Sequence, residues 1–321
     1  MSTFDEIRRI RIEKAKTLRQ LGINPYPSQS QKDYSNADIL AKYDELVDKK
    51  VHVTGRVVSW REHGALIFCH LQDQSGKIQI FIKKNDLSST SAEKQTIGAS
   101  DLKLIDIGDF IEVYGVVNKS IKGEISIFPG DIKILSKAIR PLPEKWSGLT
   151  DPEIIFRRRY LDLVMNPEHR DLFIRKSKFW KLIRSFLGEH NFIEVETPVL
   201  ELVTGGADAK PFITHHHALD QDFYLRISTE LFQKRLIGGG FEKIFTLAPN
   251  FRNEGIDDEH LQEYYSAEWY WAYADYNDNM ELVEKMYQYI AQNLYGKTQF
   301  TRGKHNFDLA GKWERISYAD L

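Results

Sequence analysis

Apolar positions near the start of the chain, Ile7, Ile10, Leu18 and Leu21, share one stripe of a helix predicted over 4–21. Gly22, followed by Pro25 and Pro27, stops it. A polar stretch runs from there to about Lys50. Between Val51 and Leu135 the period changes to alternation. VHVTGRVVSW, ALIFCHLQD, GKIQIFIK, DFIEVYGVV and GEISIFPGDIKIL are short β-branched and aromatic runs, with Gly, Asp and Lys at the turns. Five such runs in about 85 residues predict a small closed β-barrel.

That strand count and size match the oligonucleotide-binding (OB) barrel, whose usual helix is expected near Ala92–Asp101. Trp60, Phe68 and Phe81 are rings available for stacking on bases, although core packing claims some of them. Two prolines and a glycine in RPLPEKWSGL (140–149) read as a linker. Beyond it, helices are expected over Glu153–Asp162, which carries Arg157, Arg158 and Arg159 in a row, and over Asp171–His190. Strands NFIEVETPVL and DFYLRIS, a helix at Thr229–Ile237, a hairpin around 251–270 and a helix at Asn277–Leu294 follow. Strands and helices do not alternate regularly, so the expected fold class is α+β with an antiparallel sheet. The expected domains are a helical extension (1–50), the barrel (51–139), a linker (140–152) and a larger domain (153–321).

Composition narrows the options. Hydrophobic residues make up 42% of the 321, charged residues 28%, and the net charge is -2. No apolar run approaches the ~20 residues of a membrane helix, and the first residues lack a signal core, so a cytoplasmic protein is expected. The single cysteine, Cys69, excludes an internal disulfide framework. Charge is unevenly spread: residues 1–22 carry six bases (Arg8, Arg9, Arg11, Lys14, Lys16, Arg19) against three acids. A basic head of this kind is compatible with a polyanion, or is simply solvated.

The chemistry concentrates in FRNEGIDDEHLQEYYSAEWYWAYADY (251–276). From Glu254 to Glu284 stand ten carboxylates and no Lys or Arg, interleaved with aromatics, while Arg252 sits at the edge. Carboxylates pair with an ammonium group and ring faces line its stem, whereas an arginine fork grips phosphate or carboxylate oxygens. A plain acidic hairpin with its rings in the core is the competing reading. If the flanks are antiparallel strands, Asn250, Arg252 and Glu254 share a face, as do Tyr264, Ser266, Glu268 and Tyr270, which would make a polar floor for a ligand. His215, His216 and His217 alternate faces on a strand and are not expected to bind one metal ion; Gly238–Gly240 reads as a turn.

Three segments together resemble class II lysyl-tRNA synthetases. HNFIEVETPVL (190–200), with Pro198, resembles motif 1 of the class. FRNEG with His260 and Tyr264 resembles motif 2, and Gly205–Phe245 is similar to the region connecting them. The resemblance extends through the barrel and covers nearly the whole chain. It implies activation of lysine by ATP to lysyl-adenylate, then transfer to tRNA(Lys), with Mg2+ as the expected cofactor. It implies that Arg252 holds the α-phosphate and the attacking carboxylate, that Glu254 lies near the adenine amino group, that His260 lies near the triphosphate, and that Tyr264 stacks on adenine. Glu230, Glu268 and Tyr270 would form the lysine pocket, with Gly205 and Gly206 near the α-amino group. In the barrel Arg61, Phe68, Gln79 and Glu124 would read anticodon bases. Pro198 implies a two-fold homodimer.

Two departures stand out. The loop after His260 reads LQEYY where the family has an Asn-Pro-Glu-Phe arrangement, and the glycine-rich motif 3 with its Asp-Arg is absent from these residues. The magnesium carboxylates are expected with motif 3, so no metal site is expected here, and the end at Leu321 reads as a fragment or shortened product. A non-catalytic tRNA-binding module and a protein-lysylating paralogue are the alternatives; the barrel argues against the second.

Overall fold

The computed structural model describes residues 4–143, 149, 151–257 and 259–320. Most of the expected linker (144–148 and 150) lies outside the described residues, as does Asp258 of the acidic loop. The chain divides into two compact units, Met1–Met165 and Asn166–Leu321.

The first unit opens with α1 (Phe4–Gln20), followed by short α2 (Asn36–Ala41) and α3 (Tyr43–Leu46). Five strands follow: β1 (Lys50–His63), β2 (Leu66–Gln72), β3 (Lys77–Lys83), β4 (Phe110–Lys119) and β5 (Ile125–Ser136). They close a barrel in the order β1-β2-β3-β5-β4, with β3 and β5 parallel and every other pair antiparallel. Alternation sends Ile67, Cys69, Leu71, Ile78, Ile80 and Ile82 inward, all fully buried. Burial pushes the Cys69 thiol up, so it packs as an inert apolar group. Gly115 lies at a bulge where β4 and β5 cross closely: a Cβ there would come within 2.3 Å of the Phe128 carbonyl oxygen. The connection between β3 and β4 holds a 3-10 helix at Ala99–Leu104, in place of the α-helix expected at Ala92–Asp101.

The stripe expected on α1 is rotated. Ile10 and Leu21 are exposed, and Arg11, Ala15 and Leu18 face inward. The cause is Arg11, whose guanidinium donates to the carbonyls of Ile107, Ala138 and Arg140, each at 3.1 Å. Lys14 pairs with Asp106 (2.7 Å), and the fully buried Lys137 pairs with Asp106 (2.5 Å) and Asp109 (2.7 Å). Two of the six N-terminal bases are therefore spent internally, while Arg8, Arg9, Lys16 and Arg19 stay exposed. The expected helix at Glu153–Asp162 is two short ones, α4 (Pro152–Arg157) and α5 (Arg159–Met165), broken at Arg158.

The second unit comprises α6 (Arg170–Glu189), β6 (Ile193–Glu194), β7 (Leu200–Glu201), β8 (Ile213–His216), β9 (Gln221–Leu225), α7 (Glu230–Gly238), β10 (Lys243–Phe251), β11 (Glu263–Trp271), α8 (Tyr276–Tyr295), β12 (Gln299–Arg302) and β13 (His305–Asp308). β11-β10-β6 form a sheet in which β10 and β11 are antiparallel and β6 joins β10 in parallel. α6 and α8 cover one face through Leu182, Phe186, Leu187, Leu282, Met286 and Ile290. Asp275 and Asp278 cap α8 reciprocally, which starts the helix within the acidic segment. The long strand expected for NFIEVETPVL is only two short pieces, β6 and β7. Between them, buried Arg226 takes the carbonyls of Thr197 (2.9 Å) and Pro198 (3.3 Å), so those groups are bonded outside any ladder, and Pro198 has no amide to offer one.

Candidate functional site

Alternation along β10 and β11 sorts the aromatic-rich segment into two faces. Tyr265, Ala267, Trp269 and Trp271 turn towards α6 and α8: the Tyr265 ring meets Trp180 edge-on at 4.6 Å, and Trp269 donates to Asn279 at 3.0 Å. The opposite face carries Tyr264, Ser266, Glu268 and Tyr270, in register with Asn250, Ala248, Thr246 and Ile244. The expected polar floor is therefore present. Its planned extension through Glu254 is not, because β10 ends at Phe251 and the Glu254 amide turns back to the Arg252 carbonyl (2.9 Å).

At one end of the floor four expected residues come together. Glu268 accepts from the Tyr270 hydroxyl at 3.1 Å and from the Thr229 hydroxyl at 2.8 Å, one bond on each carboxylate oxygen. Thr229 is buried at the N-terminus of α7 and in turn accepts from Gln233 at 2.8 Å. Glu230 is the first residue of α7; its amide donates to Ser228 (3.1 Å) and its carboxylate pairs with Lys234. Burial, then the charges of Glu268 and Glu230, push the Tyr270 phenol up, so both glutamates bear on one hydroxyl. Gly206, with φ +85°, closes this corner: a Cβ would lie 2.7 Å from Cβ of Glu230 and 2.9 Å from Oγ of Ser228.

The other end of the floor lies about 13 Å away along β11, four residues at the strand rise. Here the Arg252 guanidinium covers the Tyr264 ring at 5.2 Å. The buried Nε of Arg252 has no hydrogen-bond partner among the described residues, an arrangement that suits an incoming oxyanion. His260 lies in the exposed loop, 2.7 Å from Asp257 and 3.9 Å from Glu254. It belongs with those two carboxylates and not with the corner formed by Glu268 and Tyr270. Elsewhere in this unit His215 pairs with Asp222 (2.9 Å) and His216 leans on Phe223, while Gly238–Gly240 ends α7.

In the barrel, Arg61, Phe68 and Gln79 project from the outer face, Arg61 opposite Phe68 in the β1–β2 register. Phe68 is half-buried and meets Phe81, its cross-strand partner on β3, edge-on at 4.8 Å; Phe81 lies 5.1 Å from Phe128. Glu124 binds the Gln79 amide at 2.5 Å and lies 3.2 Å from His70, while Ser126 donates to Gln79 at 2.8 Å. Trp60 instead packs against the barrel core. His70 and Ser126 were missed by sequence reasoning; their place two residues from Phe68 and Glu124 on alternating strands is the signal that would have found them.

Residues 151–321 match the family described as tRNA synthetases class II (D, K and N), and residues 51–135 match the OB-fold nucleic acid binding domain. The chain belongs to the class II tRNA synthetase family. It is 45% identical over 316 residues to a lysine–tRNA ligase of Carboxydothermus hydrogenoformans, covering 98% of this chain and 63% of that one. It is also similar to the lysine–tRNA ligases of Clostridium tetani (43% over 318 residues, 99% of this chain and 62% of that one) and Trichormus variabilis (43% over 323 residues, 99% and 58%). The chain spans about three fifths of the length of these relatives.

Proposed function

We propose that the protein acts as a lysine–tRNA ligase. The observation that carries this reading is the convergence of Glu230 and Glu268 on Tyr270 beside Gly206, an anionic corner whose chemistry selects a primary ammonium group. An acidic amino acid would be repelled there, and a neutral one would leave the Glu268 carboxylate without a cationic partner, whereas Glu230 already pairs with Lys234. The relatives named above carry the name of a ligase, which supports the catalytic reading over a purely tRNA-binding one.

In this reading lysine lies along the floor with its ε-ammonium at Glu268 and its carboxylate towards Arg252. A carboxylate oxygen of lysine attacks the α-phosphorus of ATP, the bond to pyrophosphate breaks, and lysyl-adenylate forms. The guanidinium of Arg252, placed over the Tyr264 ring, balances charge on the α-phosphoryl oxygens, and Tyr264 offers a ring to adenine. Glu254 and His260 line the nucleotide side. A ribose hydroxyl of tRNA(Lys) then attacks the lysyl carbonyl and AMP leaves. Among the described residues no three His, Cys, Asp or Glu side chains are grouped to hold an ion.

On the barrel, Arg61, Phe68, Gln79 and Glu124 serve as the anticodon-reading face, with Phe68 stacking on a base. A homodimer through the Pro198 segment is part of the same reading, supported by the exposed apolar side chains Ile193, Val199, Leu200, Leu202 and Val203 around it. The reading places the protein in the cytoplasm; among the described residues no helix is long and apolar enough to cross a membrane. The direct test is lysine-dependent ATP–pyrophosphate exchange together with charging of tRNA(Lys). Exchange with lysine and not with aspartate or asparagine is expected, and the opposite preference would overturn the assignment.

A further inference from the structure

From this geometry we infer that Thr229 and Gln233 form a buried relay that sets the hydrogen-bonding direction of Glu268 and so tunes the protein's selectivity for an ammonium side chain. The inference rests on the reading of Glu268 as the ammonium partner. Thr229 is 1% exposed and Gln233 is 0% exposed, so neither touches a substrate; they are positioning residues. Gln233 Nε2 donates to Thr229 Oγ1 at 2.8 Å, and Thr229 Oγ1 donates to Glu268 Oε2 at 2.8 Å.

The order of donors matters. A threonine hydroxyl carries one proton and can give it to one acceptor. With the Gln233 amide nitrogen occupying a lone pair of Oγ1, that proton is directed to Glu268. Tyr270 donates to the other carboxylate oxygen at 3.1 Å. Each oxygen of Glu268 thus keeps one protein donor and retains lone pairs for a ligand, and the carboxylate plane is held from both sides. The carbonyl oxygen of Gln233 is itself buried, with no partner among the described residues. Thr229, just before α7, and Gln233 within it stand at the i, i+4 spacing of one helical turn, and Glu268 meets them from the middle of β11.

The test is calorimetric binding of lysine and of ATP to the protein and to T229V, T229S, Q233E and E268Q, with the double variant T229V/E268Q. T229V keeps the shape and removes the proton; it is expected to weaken lysine about tenfold while ATP binding stays within about twofold, the scale of one charge-assisted hydrogen bond. T229S restores the hydroxyl and is expected to restore lysine affinity. Q233E offers an acceptor that competes for the Thr229 proton and is expected to weaken lysine as T229V does. Adding T229V to E268Q is expected to cost nothing further, since the relay acts only through Glu268. Unchanged lysine affinity in T229V or Q233E, equal losses for lysine and ATP, no rescue by T229S, or additive losses in the double variant each overturn the relay. Failure of the unsubstituted protein to bind lysine overturns the pocket reading itself, an outcome distinct from all of these.

Discussion

The Tyr270 hydroxyl lies 3.1 Å from Oε1 of Glu268, two residues away on the same face of β11. Burial and two neighbouring carboxylates push the phenol upward, so it remains a donor across the working pH range. The Glu268 charge is thereby held by neutral donors, and a cation arriving from solvent meets a carboxylate already oriented but not neutralised. Replacing Glu268 with Gln is expected to raise the lysine KM by about 10²-fold or more, with little change for ATP, as for loss of a desolvated ion pair. Steady-state pyrophosphate exchange measures both constants; an unaltered lysine dependence would remove Glu268 from the pocket.

Arg252 is expected to act on the rate. Its guanidinium is already stacked on Tyr264, and its Nε is buried without a partner among the described residues, so its free donors await an oxyanion. Lysine at this position keeps a positive charge but loses the fork and the stacked plane. Arg252→Lys is therefore expected to lower kcat for exchange by about 10²-fold, the scale of one lost donor to a developing charge, with lysine affinity largely retained. A full-rate Arg252→Lys variant would mean that the fork does not touch the reacting phosphoryl group.

Much of the site was legible because it depends on period. Alternation in 263–271 separates Trp269 and Trp271 from Glu268 and Tyr270, and Ala267, Trp269 and Trp271 follow it by packing against the core under α6 and α8. The barrel strands were equally readable. What escaped depended on partners distant in the chain. Arg11 looked like one more solvated base, yet three carbonyls from residues 107–140 capture it and rotate α1. The motif 1 segment carries strand-like residues, yet Arg226, some thirty positions later, takes up its carbonyls and breaks the ladder. The Thr229–Gln233–Glu268 chain joins a helix start to a strand thirty-nine residues on, a distance at which local pattern carries no information.

Phe68 gives the barrel its own test. Phe81 beside it is buried, so truncating Phe81 would damage packing, whereas Phe68 is only half-buried on the outer face. Phe68→Ala is expected to weaken binding of a lysine-tRNA anticodon stem-loop by about 1–3 kcal/mol, the worth of one base–aromatic stack. Lysine-dependent pyrophosphate exchange without tRNA is expected to be unchanged. Equal stem-loop affinity in filter-binding or fluorescence titration would make Phe68 a packing residue only.

Asp73 makes a pH-dependent prediction for the first unit. Burial on its own would raise this carboxyl, but donors outweigh it and bring it to about 2. They are Lys32 (2.8 Å), the Ser75 hydroxyl (2.6 Å) and the backbone amides of Ser75 (2.8 Å), Asn36 (3.0 Å) and Gly76 (3.1 Å). Through them Asp73 ties the start of α2 to the turn between β2 and β3. Because the folded-state pKa is depressed below the ordinary carboxyl value of 3.8, the stabilisation is fully present above about pH 4 and is lost as pH falls towards 2. A shift of this size corresponds to roughly 2 kcal/mol for a side chain this well covered. Asp73→Asn is expected to reduce protection of the Asn36, Ser75 and Gly76 amides from hydrogen exchange at pH 7 by about tenfold or more. Near pH 2 the unsubstituted protein is expected to lose the same protection, so the two converge. A gap between them that persists undiminished at pH 2 would show that Asp73 contributes through packing and not through its charge.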